Sequence, residues 1–253
     1  MTMRNHRAWL ILATTLALVA FGGAGCATPG LLHVYIASSV QPSGIYDQGD
    51  AATVEVPCFM APDETLTGFA YDPFTDHLFL RLAPGNRVRV VDRPARAIKR
   101  EFVAEGVPTT GGGDLAVRPR DGHLFIAHPT EPTVVELSRF GQLVRMIPLA
   151  AASAPPRGIA YDSIRNLLLV VGDASATRVS IYDLDGHLVA TIPLTESIAP
   201  GSLGYDCEKR ALYAPLAGGL AVGVFDETGQ LRRTIPTPAR FVDVGPRSFL
   251  RLF

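Results

Sequence analysis

Arg157-Gly-Ile-Ala-Tyr-Asp162, then 166–171, then Val179-Ser-Ile-Tyr-Asp183-Leu-Asp-Gly-His-Leu-Val189 and 190–194: this stretch decides the fold. It holds four short runs rich in Ile, Val, Leu and Tyr, each bounded by Asp, Gly or Asn, the pattern of four strands joined by tight turns. The same order of parts recurs from Gly68-Phe-Ala-Tyr-Asp72, from Gly113-Asp-Leu-Ala-Val117 and from Ser202-Leu-Gly-Tyr-Asp206. Spacing supports the repeat independently of composition. The residue ending the third run falls at Asp47, Asp92, Ser138, Asp183 and Asp226, at intervals of 45, 46, 45 and 43. The residue opening the first run falls at Gly68, Gly113, Gly158 and Ser202, at intervals of 45, 45 and 44.

Asp185-Gly186 and Thr228-Gly229 are hairpin dipeptides between third and fourth runs. Asp183 and Asp226 stand where a carboxylate bonds its own backbone two residues on. Four strands in each repeat of about 45 residues make the blade of a β-propeller, an all-β fold. The sequence predicts a first blade whose second, third and fourth strands are 31–37, 44–47 and 53–57, and which lacks a first strand of its own. Residues 240–244 read as that missing strand, so the N- and C-terminal strands close the ring at five blades. Residues 248–253 read as a further second strand and leave a six-position ring open.

Outside 31–253 the chain reads as a targeting segment. Arg4, His6 and Arg7 precede an almost wholly apolar run, 8–21, which is too short to span a bilayer as an ordinary helix and suits a signal-peptide core. Gly23-Ala24-Gly25-Cys26-Ala27 follows, with small residues before a cysteine. This resembles the lipobox of bacterial lipoproteins, although Gly23 stands where that motif usually has an aliphatic residue. The resemblance implies a signal peptide over 1–25, lipidation of Cys26, a short tether over 26–30, and a propeller domain over 31–253. Ordinary cleavage after Ala27 is the alternative. Either route exports the chain to the bacterial envelope, and in the first it meets the membrane through the lipid alone. Cys58 and Cys207 fall on opposite faces of the expected propeller, so two separate thiols are expected.

Pro156-Arg-Gly-Ile-Ala-Tyr-Asp162 with Val179-Ser-Ile-Tyr-Asp183-Leu-Asp-Gly-His-Leu resembles the NHL-type repeat, whose relatives include YVTN-type propellers and the gluconolactonase-like superfamily. That resemblance covers nearly all of 31–253. It implies the fold, and it is compatible with binding modules, lactonases and lyases alike.

Net charge is −1 at neutral pH, with 23 basic and 24 acidic residues, which gives no reason to expect a nucleic-acid partner. The chain has no H-E-x-x-H, C-x-x-C, P-loop, G-x-S-x-G or EF-hand spacing. In a propeller the connections between blades share one face with the loops between second and third strands. There the sequence places Arg157 and Arg240, a pair of guanidinium groups suited to an anionic ligand, together with His128 and Asp173. Glu64, Asn86 and Asp173 are the oxygen donors suited to a divalent cation. His77 and His123 open second strands at equivalent places, which points to packing. Two functions follow as expectations. One is a non-catalytic binding or scaffold lipoprotein for an envelope protein, peptide or glycan, with no cofactor. The other is a hydrolase or lyase of a lactone-like molecule assisted by Ca²⁺ or Zn²⁺.

Overall fold

A computed structural model describes residues 32–37, 44–48, 54–56, 59–172 and 176–246. The expected signal peptide over 1–25, the tether with Cys26, and Cys58, Asp173 and 248–253 lie outside the described residues.

The repeat folds as its turns dictate. Within the described residues the chain runs β1 (Leu32–Ala37), β2 (Ile45–Asp47) and β3 (Val54–Val56), then four complete sets of strands. These are β4 (Thr65–Asp72), β5 (His77–Ala83), β6 (Arg87–Asp92) and β7 (Ala97–Val103); β8 (Leu115–Arg118), β9 (His123–Ala127), β10 (Thr133–Leu137) and β11 (Leu143–Pro148). They continue as β12 (Pro156–Asp162), β13 (Leu167–Gly172), β14 (Arg178–Tyr182) and β15 (Leu188–Pro193); β16 (Gly204–Asp206), β17 (Ala211–Pro215), β18 (Val222–Phe225) and β19 (Leu231–Ile235). The chain returns as β20 (Phe241–Pro246), which pairs antiparallel with β1 from Leu32↔Pro246 to Ala37↔Phe241. Five four-stranded antiparallel sheets result, the first in the order β20-β1-β2-β3. The C-terminal strand therefore completes the N-terminal blade, and the ring has five blades.

Turn chemistry sets the blade ends. Asp183 Oδ1 accepts the N–H groups of Asp185 and His187 at 2.9 and 2.8 Å, and Asp226 Oδ1 accepts those of Thr228 and Gln230 at 2.9 and 3.1 Å. Gly186, at φ +86°, completes the first of these turns, and a Cβ there would stand 2.0 Å from the Pro148 carbonyl oxygen. The hairpin tip of one blade thus presses on the outer strand of the blade before it.

Each sheet is apolar on both faces, so every blade is covered only by its neighbours. Five apolar clusters follow, one at each interface between adjacent blades. Phe69, Leu78 and Leu80 of the second blade pack on Tyr35 and Ile45 of the first; Leu32, Val34 and Ile36 of the first pack on Tyr213 and Val222 of the fifth. Truncating a fully buried side chain such as Phe69 costs about 3–5 kcal/mol in such settings.

Candidate functional site

The inner strands make contact in a closed circuit: β20 with β4, β4 with β8, β8 with β12, β12 with β16, and β16 with β20. They bound the axis of the ring, and the backbones approach closely there. A Cβ at Gly68 would lie 2.7 Å from the Gly113 carbonyl oxygen and 3.0 Å from Asp114 Cα. The ladders pair Phe69 with Leu80 and Leu115 with Ile126, so the place held by Gly68 in the second blade belongs to Asp114 in the third. That is one residue later than the Gly113 expected from spacing. Gly158 and Ser202 hold the same place in the fourth and fifth blades.

Three side chains on the axis stitch the blades together. Asp114 is fully buried; its Oδ1 accepts Phe69 N–H at 3.2 Å, and its Oδ2 accepts Leu203 N–H at 3.1 Å and Ile159 N–H at 3.4 Å. One carboxyl group of the third blade therefore reaches the second, fourth and fifth. Asp243 on β20 accepts Tyr71 N–H at 2.7 Å, joining the first blade to the second. Ser202 Oγ donates to the Val242 carbonyl and accepts Val242 N–H, both at 3.1 Å, joining the fifth blade to the first.

Removal from water makes both carboxyl groups weak acids. Burial raises Asp114 well above the usual carboxylate range, and the nearby charge of Asp243 acts in the same direction. Burial pushes Asp243 up to about 7, against the two backbone N–H groups that favour its ionised form. Asp243 keeps partial exposure as a residue although protein surrounds its carboxyl group. Among the described residues, every hydrogen bond these two carboxyl groups make is to backbone, so their geometry is that of ring closure.

The upper face, which carries the blade connections, holds the remaining candidates. Glu64 Oε1 accepts from Arg87 Nη2 at 2.6 Å and Arg89 Nη2 at 2.7 Å, and Oε2 accepts from Arg89 Nη1 at 2.6 Å and Ala61 N–H at 2.7 Å. The hydrogen bonds from Arg89 hold this carboxyl down at about 2. Asn86 belongs to a different network. Its Oδ1 accepts from Arg81 Nε at 2.7 Å and its Nδ2 donates to the Val107 carbonyl at 3.2 Å. Arg81, fully buried, donates in turn to the carbonyls of Gly113 and Ala127 at 2.7 and 3.0 Å. Glu64 and Asn86 thus face separate arginines, and among the described residues no three His, Cys, Asp or Glu side chains converge to hold a metal ion.

His128 is buried, at 4% exposure, and its Nδ1 accepts the N–H groups of Glu131 at 3.0 Å and Thr130 at 3.4 Å. The ring closes the loop it starts and does not stand open at the rim. Arg157 is half-buried at the start of β12, where its carbonyl accepts Asp114 N–H at 2.9 Å. Arg240 is exposed, with its guanidinium 5.3 Å from the Phe241 ring. The two arginines enter the fourth and first blades, which the fifth separates. His77 and His123 sit at matching ladder positions, with His77 near Lys99 and His123 Nδ1 2.8 Å from Glu136 Oε1. Cys207 is a free thiol, raised by burial and close to Ser163.

Sequence reasoning did not single out Asp114 or Asp243. For Asp114 the signal available was an acidic residue inside a first strand that is otherwise apolar, at a place where the sister repeats carry Gly or Ser.

No family model matches this chain, and no curated protein matches it. Solved structures do. A chain in the crystal structure of a nidogen/laminin complex is similar, with a TM-score of 0.59 and 12% identity over 86% of this chain and 100% of that one. Myxococcus xanthus glutaminyl cyclase is similar with a TM-score of 0.53 and 17% identity, over 68% of this chain and 70% of that one. The protein is a five-bladed β-propeller. At such identities the likeness extends to the fold alone.

Proposed function

We propose that this protein is a non-catalytic binding module of the bacterial envelope, exported by its N-terminal segment, tethered to a membrane through Cys26, and presenting one propeller face to a protein partner. The observation that supports this reading is the use of its polar groups. Asp114 and Asp243 bind inner-strand backbone, Glu64 is gripped by two arginines, and Asn86 holds a third. The groups a channel enzyme would direct at a substrate are engaged in holding blades together. Broad connecting loops on a rigid ring then offer surface rather than chemistry.

Two measurements test the reading. Palmitate labelling of the expressed chain is expected, and is expected to vanish in Cys26→Ser; equal labelling of both removes the tether. Purified protein is expected to recover a defined partner from envelope extract and to hold no stoichiometric Ca²⁺ or Zn²⁺ by elemental analysis. One equivalent of either metal, with lactone hydrolysis, would replace this reading with the enzymatic one.

A further inference from the structure

The repeat permits a comparison of one blade with another inside the same molecule. In the second blade, Arg87 and Arg89 on the third strand β6 point at the preceding blade, where the connecting loop supplies Glu64. Glu101 on the fourth strand pairs with both arginines from the other side. In the fourth blade the ladders align Arg178 with Arg87, since each opens the third strand opposite the end of the fourth, Pro193 and Val103 respectively. Ser180 then matches Arg89, and Thr191 matches Glu101. The bulges at Leu66/Gly68 and Pro156/Gly158 coincide, so counting back along the two loops sets Ala154 at the place of Glu64.

Both carboxylates are therefore missing from the fourth blade while the guanidinium remains. Among the described residues the Arg178 guanidinium has no hydrogen-bond or ion-pair partner. A groove opens at this place between the third and fourth blades, lined by Ala152, Ser153, Ala154, Gly172, Arg178 and Ser180. We propose that this groove is a carboxylate seat that receives a glutamate or aspartate side chain of a partner protein, as its counterpart receives Glu64. The inference deepens the binding-module reading and rests on it.

Guanidinium with flanking hydroxyls suits a carboxylate, because charge-assisted bonds are the stronger ones. A polypeptide is the occupant favoured by the adjoining strand. β15 is the outermost strand of its sheet, its upper end lies opposite Arg178, and it carries no charge from Leu188 to Pro193. The outer strands β7 and β19 carry Lys99, Arg100 and Glu101, and Arg232 and Arg233. An uncharged free edge offers backbone hydrogen bonds to an extended chain.

The test titrates the full-length chain with blocked Ala-Glu-Ala and Ala-Gln-Ala peptides, observed through the Arg178 Nε–H resonance. A saturable shift with the glutamate peptide, and none with the glutamine peptide, is expected. Arg178→Gln is expected to weaken binding on the order of tenfold or more, read at backbone amides of 152–154. Ala154→Glu, which copies the second blade, is expected to fill the groove from within, to shift the Arg178 resonance by itself, and to abolish peptide binding while the chain stays folded. Equal response to both peptides, or binding undiminished in Ala154→Glu, overturns the proposal. Tighter binding of a uronic-acid trisaccharide than of the glutamate peptide overturns the choice of a protein partner. Recovery of an envelope partner by Arg178→Gln at wild-type yield would sink the seat and leave the binding-module reading standing.

Discussion

Asp243→Asn should change how stability responds to pH more than it changes stability itself. In the folded ring the Asp243 carboxyl is pushed up to about 7, whereas an unfolded chain leaves it near 4. Between those values the folded state holds the proton more tightly, so stability is greatest at the acid end and falls as pH rises through the window. The shift of about 3 units corresponds to about 4 kcal/mol, and the partial exposure of Asp243 reduces this to about 2–4 kcal/mol. Asparagine keeps an oxygen for the Tyr71 N–H, now accepted at 2.7 Å, and cannot ionise. Urea unfolding of both proteins from pH 4.5 to 8 reads the effect, because titrating groups that do not feel the Asp243 charge cancel in the difference; Asp114, which that charge raises, contributes to it. The variant is expected to be equal to or slightly less stable than the parent at pH 4.5, and to gain about 2–4 kcal/mol relative to it by pH 8. A difference that stays constant across the range would refute the placement of an ionisable carboxyl on the axis.

Other changes follow from the same contacts. Asp114→Ala leaves three inner-strand N–H groups without their acceptor and should cost about 2–4 kcal/mol after relief of the buried carboxyl, seen as a fall in Tm of about 4–16 °C; Asp114→Asn should cost less. Glu64→Gln removes the anion between Arg87 and Arg89 and should cost about 1–3 kcal/mol at pH 7 by urea unfolding. Because the Glu64 carboxyl is held down at about 2, its contribution is complete above the unfolded value and is lost as pH falls from there toward 2, so parent and variant should converge in acid. His128→Ala should cost about 1 kcal/mol through the loop it closes and leave glutamate-peptide binding unchanged; loss of binding would reassign that histidine.

The blades were legible because their signals are local. Asp183 and Asp226 bond backbone N–H groups within four residues of themselves, and the apolar runs between such turns announce strands without reference to the rest of the chain. Ring closure was legible from register, since 240–244 supplies the strand that the N-terminal blade lacks. The axial site was not. Asp114 finds its partners 45 and 89 residues away, and Asp243 finds Tyr71 at a separation of 172, so nothing beside either residue in sequence marks it. Aligning the repeats on Gly113 also hid the substitution, because the slot defined by strand pairing begins one residue later. The oxygen donors Glu64 and Asn86 could be picked out by residue type, but their partners Arg89 and Arg81 come from neighbouring strands that spacing alone does not orient.

Closure of the ring by the last strand is the feature on which the channel, the stitching carboxyls and the paired loops all depend. Cross-strand NMR contacts in the isotope-labelled full chain test it, between Tyr35 and Asp243 and between Ile36 and Val242. Those contacts are expected, at full strength, when labelled chain is diluted into unlabelled chain. Their absence, or their loss on mixing because the strand comes from another molecule, would contradict a closed five-bladed monomer.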